Sequence, residues 1–190
     1  MKLRESIFLF VVINSISFSS FAQNDNTATH DLNVVIPEVA LLGVVSESQT
    51  DISLNSAMPA EAGNAVDFSN ASNNRIWINY SSIISETTPK RKVIAMVQGE
   101  MPQGVKLVVE ASDYSGSGKG KLGKPAGEVV LSNQPSDVIV DIGSCYTGKG
   151  VNNGHYLTYK IEKGNSSESY AMLNQQNTSV NVVYTLTDYN

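Results

Sequence analysis

Residues 74–80 read NRIWINY, and their period of two decides the fold class. Ile76, Ile78 and Tyr80 share one face of an extended chain, while Arg75, Trp77 and Asn79 share the other. Successive side chains of a strand point to opposite sides, so this pattern describes a strand with one face buried and one in solvent. The run 104–112 repeats it, setting Val105, Leu107, Val109 and Ala111 against Lys106, Glu110 and Ser112, with Val108 the exception. Near the C-terminus Val180, Val182, Tyr184 and Leu186 oppose Asn181, Thr185 and Thr187. Alternation alone leaves open which face of 74–80 is inside.

Outward from these runs, β-branched and aromatic segments are separated by Gly, Pro, Asn and Ser clusters, the punctuation of an antiparallel protein. Strands are expected near 32–36, 39–45, 51–55, 74–80, 92–98, 104–112, 127–132, 137–142, 154–163 and 178–187. Helical spacing is not sustained anywhere past residue 22. So many strands with one apolar face each are satisfied most simply by two antiparallel sheets packed face to face, an all-β sandwich. A barrel is the second architecture. The Gly-rich loop Ser112–Gly127 is expected to be mobile, whereas Asn152-Asn153-Gly154 contains the dipeptide that favours a rigid hairpin turn. Pro37 cannot donate to a ladder and is expected at an edge or a crossing between sheets.

The N-terminus reads as an export signal. Lys2 and Arg4 precede an apolar core, Ile7–Ile13, and Ser20-Phe21-Ala22 places small residues where a signal peptidase cleaves. That core is shorter than the roughly 20 residues a membrane-spanning helix needs. The expected organisation is a Sec-type signal peptide over 1–22, a flexible polar leader over 23–30 and a single β-sandwich domain over 31–190. The product is expected to be secreted, or to reside at the cell surface or in the periplasm, without a transmembrane segment. A net charge of −5 argues against nucleic acid as a partner. Cys145 is the only cysteine, so no intrachain disulfide can form, and it reads as a possible free thiol.

Several motifs suggest chemistry and fail on their context. Gly143–Lys149 and Gly118–Lys124 both match G-x-x-x-x-G-K, but Gly150 and Pro125 stand where a Ser or Thr should hold magnesium. A turn and a strand are expected after Lys149, not the helix start that would face phosphates. Cys145 as a nucleophile would need a base, and His155 is the one histidine outside the leader, since His30 lies within it. Asp113, Asp137, Asp141 and Glu100 read as loop or strand-end solubilisers rather than a glycosidase pair. The D-x-[DN]-x-[DN]-G calcium run is absent. No catalytic, cofactor-binding or metal-binding residue is therefore assigned, and the protein is expected not to be an enzyme. The one candidate ligand contact is Trp77, which with neighbouring Tyr residues would form a sugar platform if its face is the exposed one.

The runs IPEVALLGV (36–44), RIWINYSS (75–82), DIGSCYTGKG (141–150) and NVVYTLTD (181–188) resemble a group of small, exported, uncharacterised bacterial β-proteins. The closing strand and the strand count are also similar to spore-coat-U and pilin-type domains, although the disulfide of many pilin subunits is missing. This resemblance implies an immunoglobulin- or pilin-like sandwich serving as a surface subunit or adhesin, possible partners being other copies of itself or surface assembly proteins through strand addition. An exposed sheet edge offers unpaired N–H and C=O groups to an extended segment. Leu32–Ile36 and Val180–Leu186 both suit the donor's role. The alternative is a carbohydrate-binding module that holds a polysaccharide on Trp77.

Overall fold

In the computed structural model, residues 29–69 and 71–189 are described, and the expected signal peptide lies outside them. Ile36–Asn190 forms one compact unit, counted apart from Met1–Val35. The strands are β1 (Val39–Ser46), β2 (Ser72–Ile83), β3 (Arg91–Gln98), β4 (Val105–Ala111), β5 (Lys119–Gly120), β6 (Lys124–Pro125), β7 (Glu128–Leu131), β8 (Ser136–Ile142), β9 (Cys145–Tyr146), β10 (His155–Lys163) and β11 (Asn181–Asp188). Among the described residues the sole helical piece is a single 3₁₀ turn at Ser167–Ser169.

The strands build two antiparallel sheets, a seven-stranded one and a four-stranded one ordered β11-β3-β8-β6, and the fold is an all-β sandwich. In the larger sheet β2 is the central strand, because its twelve residues serve three partners. β1 pairs with Ile76–Ile83 along one edge. On the other edge β10 pairs with Ser72–Ile78 and β9 takes over at Ser81 and Ser82. β4 and β7 continue the sheet beyond β10, and β5 continues it beyond β9.

The inner faces supply the core. Ile76, Ile78 and Tyr80 from β2 are buried with Val93, Ala95 and Val97 from β3, Leu107, Val109 and Ala111 from β4, and Leu157 and Tyr159 from β10. Burial at about 25 cal/mol per Å² of apolar surface is what holds the two layers together. β8 departs from strict alternation: Val138 and Ile139 are both buried, and the register against β3 shifts beside them. Val108, the exception in the sequence pattern, is an outward residue flanked across the ladder by Lys160 and Val130, and it too is buried. Long Lys stems cover apolar neighbours while the ammonium stays wet.

Two expected strands are not strands. Leu32, Val34, Val35 and Ile36 carry no ladder and are each 73–79% exposed. Residues 51–55 also lack a ladder, although Ile52 and Leu54 pack half-buried against the core. Apolar content reports a surface that needs covering and does not supply a backbone partner.

The Gly-rich loop is a further correction, because it is tied down. The Tyr114 hydroxyl accepts from the Gly118 N–H and donates to the Thr147 carbonyl. Ser117 N–H donates to Asn153 Oδ1, Lys121 N–H to the Ser144 carbonyl at 3.0 Å, and Gly123 N–H to the Tyr80 hydroxyl. Bonding backbone groups to distant partners in this way removes the freedom that the glycines would otherwise confer.

Candidate functional site

Trp77 lies on the outer face of the larger sheet. Its neighbours in sequence, Ile76 and Ile78, are 3% and 0% exposed, so the indole points away from the core. Register places Val45 of β1 and Tyr156 of β10 directly across from it, which makes an apolar row spanning three strands. The Trp77 and Tyr156 rings meet edge to face, with centroids 5.5 Å apart at 70°. That geometry suits the quadrupoles of both rings. The rest of this face is laced with charge: Lys106 pairs with Glu162 at 2.9 Å, and Lys160 with Glu128 at 2.5 Å. Asn79, next along β2, is engaged elsewhere, accepting from Gly150 N–H and donating to the Asn153 carbonyl.

Cys145 is a free thiol, buried at 8% exposure where β9 meets β2 and β5. Burial pushes its pKa up to about 11, which keeps it protonated and a poor nucleophile at neutral pH. An apolar cleft of about 380 Å³ opens beside it, lined also by Val39, Ile83 and Tyr146. His155 does not serve it as a base, because both ring nitrogens are committed. Nδ1 lies 2.7 Å from the Ser112 carbonyl and Nε2 lies 3.0 Å from the Tyr80 hydroxyl. A carbonyl only accepts, so Nδ1 carries the proton and Nε2 accepts from Tyr80. The Tyr80 oxygen in turn accepts from Gly123 N–H. Burial lowers the pKa of His155, against the opposing bond to Ser112, and raises that of Tyr80. Both groups therefore stay neutral and act as a structural knot.

The two phosphate-loop look-alikes spend their backbone donors internally. Gly143 N–H goes to the Lys121 carbonyl and Thr147 N–H to the Tyr80 carbonyl. A turn and β10 follow Lys149. The carboxylates stand apart from one another: Asp137 pairs with Lys92 at 2.9 Å, Asp141 with Lys90 at 2.6 Å, and Asp113 and Glu100 are exposed. The hydrogen bond and charge of Lys90 lower the pKa of Asp141. Among the described residues no three His, Cys, Asp or Glu side chains gather as metal ligands do.

No protein family matches the chain, and neither the curated proteins nor the solved structures give a match. The functional reading therefore rests on the residues themselves.

The two candidate donor strands separate clearly. Val180–Leu186 is engaged, because β11 is laddered to β3 from Asn181 to Asp188. Leu32–Ile36 is not. A residue the sequence reading passed over is Arg91, 4% exposed. Its guanidinium donates to the Glu38 carboxylate, the Val39 and Ile83 carbonyls, the Ser82 hydroxyl and the Asp188 carboxylate. It thus gathers the start of β1, the end of β2 and the end of β11. Its signal was present in the sequence: Arg91 is in phase with Val93, Ala95 and Val97, so it had to point inward. Among the described residues no helix is long and apolar enough to cross a membrane.

Proposed function

We propose that the protein is an exported, non-catalytic structural or adhesive component of the cell surface, a pilin-like subunit that assembles by strand addition. The observation that carries this reading is Leu32–Ile36, which is apolar at four of its five positions, exposed and in no ladder among the described residues. Contiguous apolar surface of that kind on a soluble protein marks an interaction site. Its length, about 17 Å for five extended residues, suits addition to a sheet edge. Sedimentation velocity on the exported protein over a concentration series tests it. Oligomers growing with concentration, and lost in Val34→Asp, support the reading; a strict monomer throughout would discard it.

A second reading is favoured by the outward Trp77. The Val45–Trp77–Tyr156 row offers an apolar, aromatic surface on which the C–H face of a pyranose could rest, as a polysaccharide-binding module requires. Trp77→Ala should then lose retention on a polysaccharide that holds the parent protein. Equal retention of the two proteins removes this reading.

A further inference from the structure

Four residues along β2 from Trp77, the strands β1, β2, β9 and β5 lie side by side, and register sets Leu41, Ser81, Tyr146 and Lys119 in one row across them. The floor here is low. Ser81 is small, and Gly120 lets β5 come close to β9, because a Cβ at Gly120 would sit 2.3 Å from the Ser144 carbonyl oxygen. Val39, Ile83 and Tyr146 rise around this floor, and between them opens the apolar cleft of about 380 Å³ beside Cys145. That volume falls within the range of about 300–1,000 Å³ that small-molecule sites occupy. Lys119 is the one charged residue in the lining. Among the described residues it has no ion-pair partner, whereas Lys90, Lys92, Lys106 and Lys160 all have one. At the other end Arg91 donates to the Val39 and Ile83 carbonyls from the core side, but its charge is met by Glu38 and Asp188. The cleft is thus apolar along its length, with an unmatched cation at one rim.

We infer that this cleft binds a free amphiphilic carboxylate of the medium-chain fatty-acid class, its head at Lys119 and its tail between Val39, Ile83 and Tyr146. The site goes beyond both surface readings, since it uses neither strand addition nor Trp77. Charge fixes the direction of the ligand. A carboxylate is costly to bury, so it stays at the wet rim beside the exposed Lys119, and the tail takes the apolar end. Distance fixes its length. Lys119 is level with Ser81 and two strands away from it, while Ile83 lies two residues further along β2. The diagonal from Lys119 to Ile83 is therefore about 12 Å. That is the reach of about ten extended carbons at the usual C–C bond length. Each methylene seated in the cleft strengthens binding by up to about fourfold. The solvated ion pair adds up to about fivefold, and added salt weakens it.

Cys145 reports occupancy, because it is the sole cysteine and lines the cleft. The exported protein is treated with N-ethylmaleimide in the presence of decanoate, hexanoate or decanol, and the rate of labelling is read by mass spectrometry. Decanoate should protect Cys145 saturably, at concentrations at least about tenfold lower than hexanoate requires. Lys119→Gln, a change on an exposed side chain, should need up to about fivefold more decanoate while decanol protects it as it does the parent. Equal protection of the parent by decanol and decanoate, or no effect of Lys119→Gln, overturns the assignment of a carboxylate. Absence of protection by all three compounds overturns the site. Co-sedimentation with phosphatidylglycerol vesicles separates a free ligand from a lipid surface. Protein that sediments with the vesicles, yet is not protected by decanoate, overturns the free carboxylate in favour of a membrane.

Discussion

The phenol oxygens of Tyr159 and Tyr184 lie 2.6 Å apart, and this hydrogen bond joins β10 of one sheet to β11 of the other. Burial pushes Tyr159 up to about 12, against the opposing hydrogen bond from Tyr184, and burial also raises Tyr184, whose charged form the neighbouring Tyr159 disfavours as well. Tyr184→Phe should cost about 1–2 kcal/mol by leaving Tyr159 without its partner, and the double Phe variant should cost less than the two single changes summed. Urea unfolding of the four proteins measures this. The pH dependence has a definite sign. The folded chain holds these protons more tightly than the unfolded one, whose phenols titrate near about 10, so stability is intact below that pH. It falls as pH rises from about 10 towards about 12, and the double Phe variant should show a shallower fall.

His155 sets the opposite limb. Its folded pKa lies below the ordinary value of about 6.5 because it is buried, so the unfolded chain takes up the proton first. Stability should be complete above about 6.5 and decline as pH drops below it. His155→Asn should lower stability at pH 7.5 but flatten the change between pH 7.5 and 5.5, read from urea midpoints. An equal slope in both proteins would show that His155 is not the titrating group.

Arg91 holds three strand ends together. Two of its partners, Glu38 and Asp188, are about half exposed, so their ion pairs contribute modestly through solvent screening. The bonds to the Val39 and Ile83 carbonyls are the larger part. Arg91→Met, which keeps the volume of the stem, should therefore cost on the order of 2 kcal/mol. Hydrogen exchange should show the loss as faster opening at the start of β1 and the end of β11, while β4 and β10 stay protected.

Two glycines should behave in opposite ways. A Cβ at Gly154, where φ is +90°, would sit 2.0 Å from the Ile78 carbonyl oxygen, while a Cβ at Gly43 meets nothing within 4 Å. Gly154→Ala should cost more than about 2 kcal/mol, since both backbone strain and a clash with a fixed strand oppose it. Gly43→Ala should be neutral or stabilising by up to about 0.5 kcal/mol, through the lower entropy of the unfolded chain. Thermal unfolding of the two variants checks the contrast.

Most of the fold was legible because its signal is local. The alternation of 74–80, 104–112 and 180–187 marked the strands and the residues that share each face. Two features were not legible, for one shared reason. Ser112–Gly127 reads as a loose loop, yet it is anchored by Tyr80, Asn153 and Ser144, none of which is near it in the chain. Leu32–Ile36 reads as a strand, yet no ladder reaches it. The Arg91 clamp lies between these cases: its inward phase was visible, but its partners Glu38 and Asp188 are brought to it only by the ends of three different strands.

The sequence by itself determined that the chain would form pleated strands, because a period of two follows from backbone geometry and needs nothing beyond neighbouring residues. Only the tertiary structure decided that Trp77 faces outward, that His155 is locked between Tyr80 and Ser112, and that β1 and β11 are the end strands of their sheets. Each of these depends on which distant segment arrives alongside, and hydrogen bonds and burial are properties of that meeting.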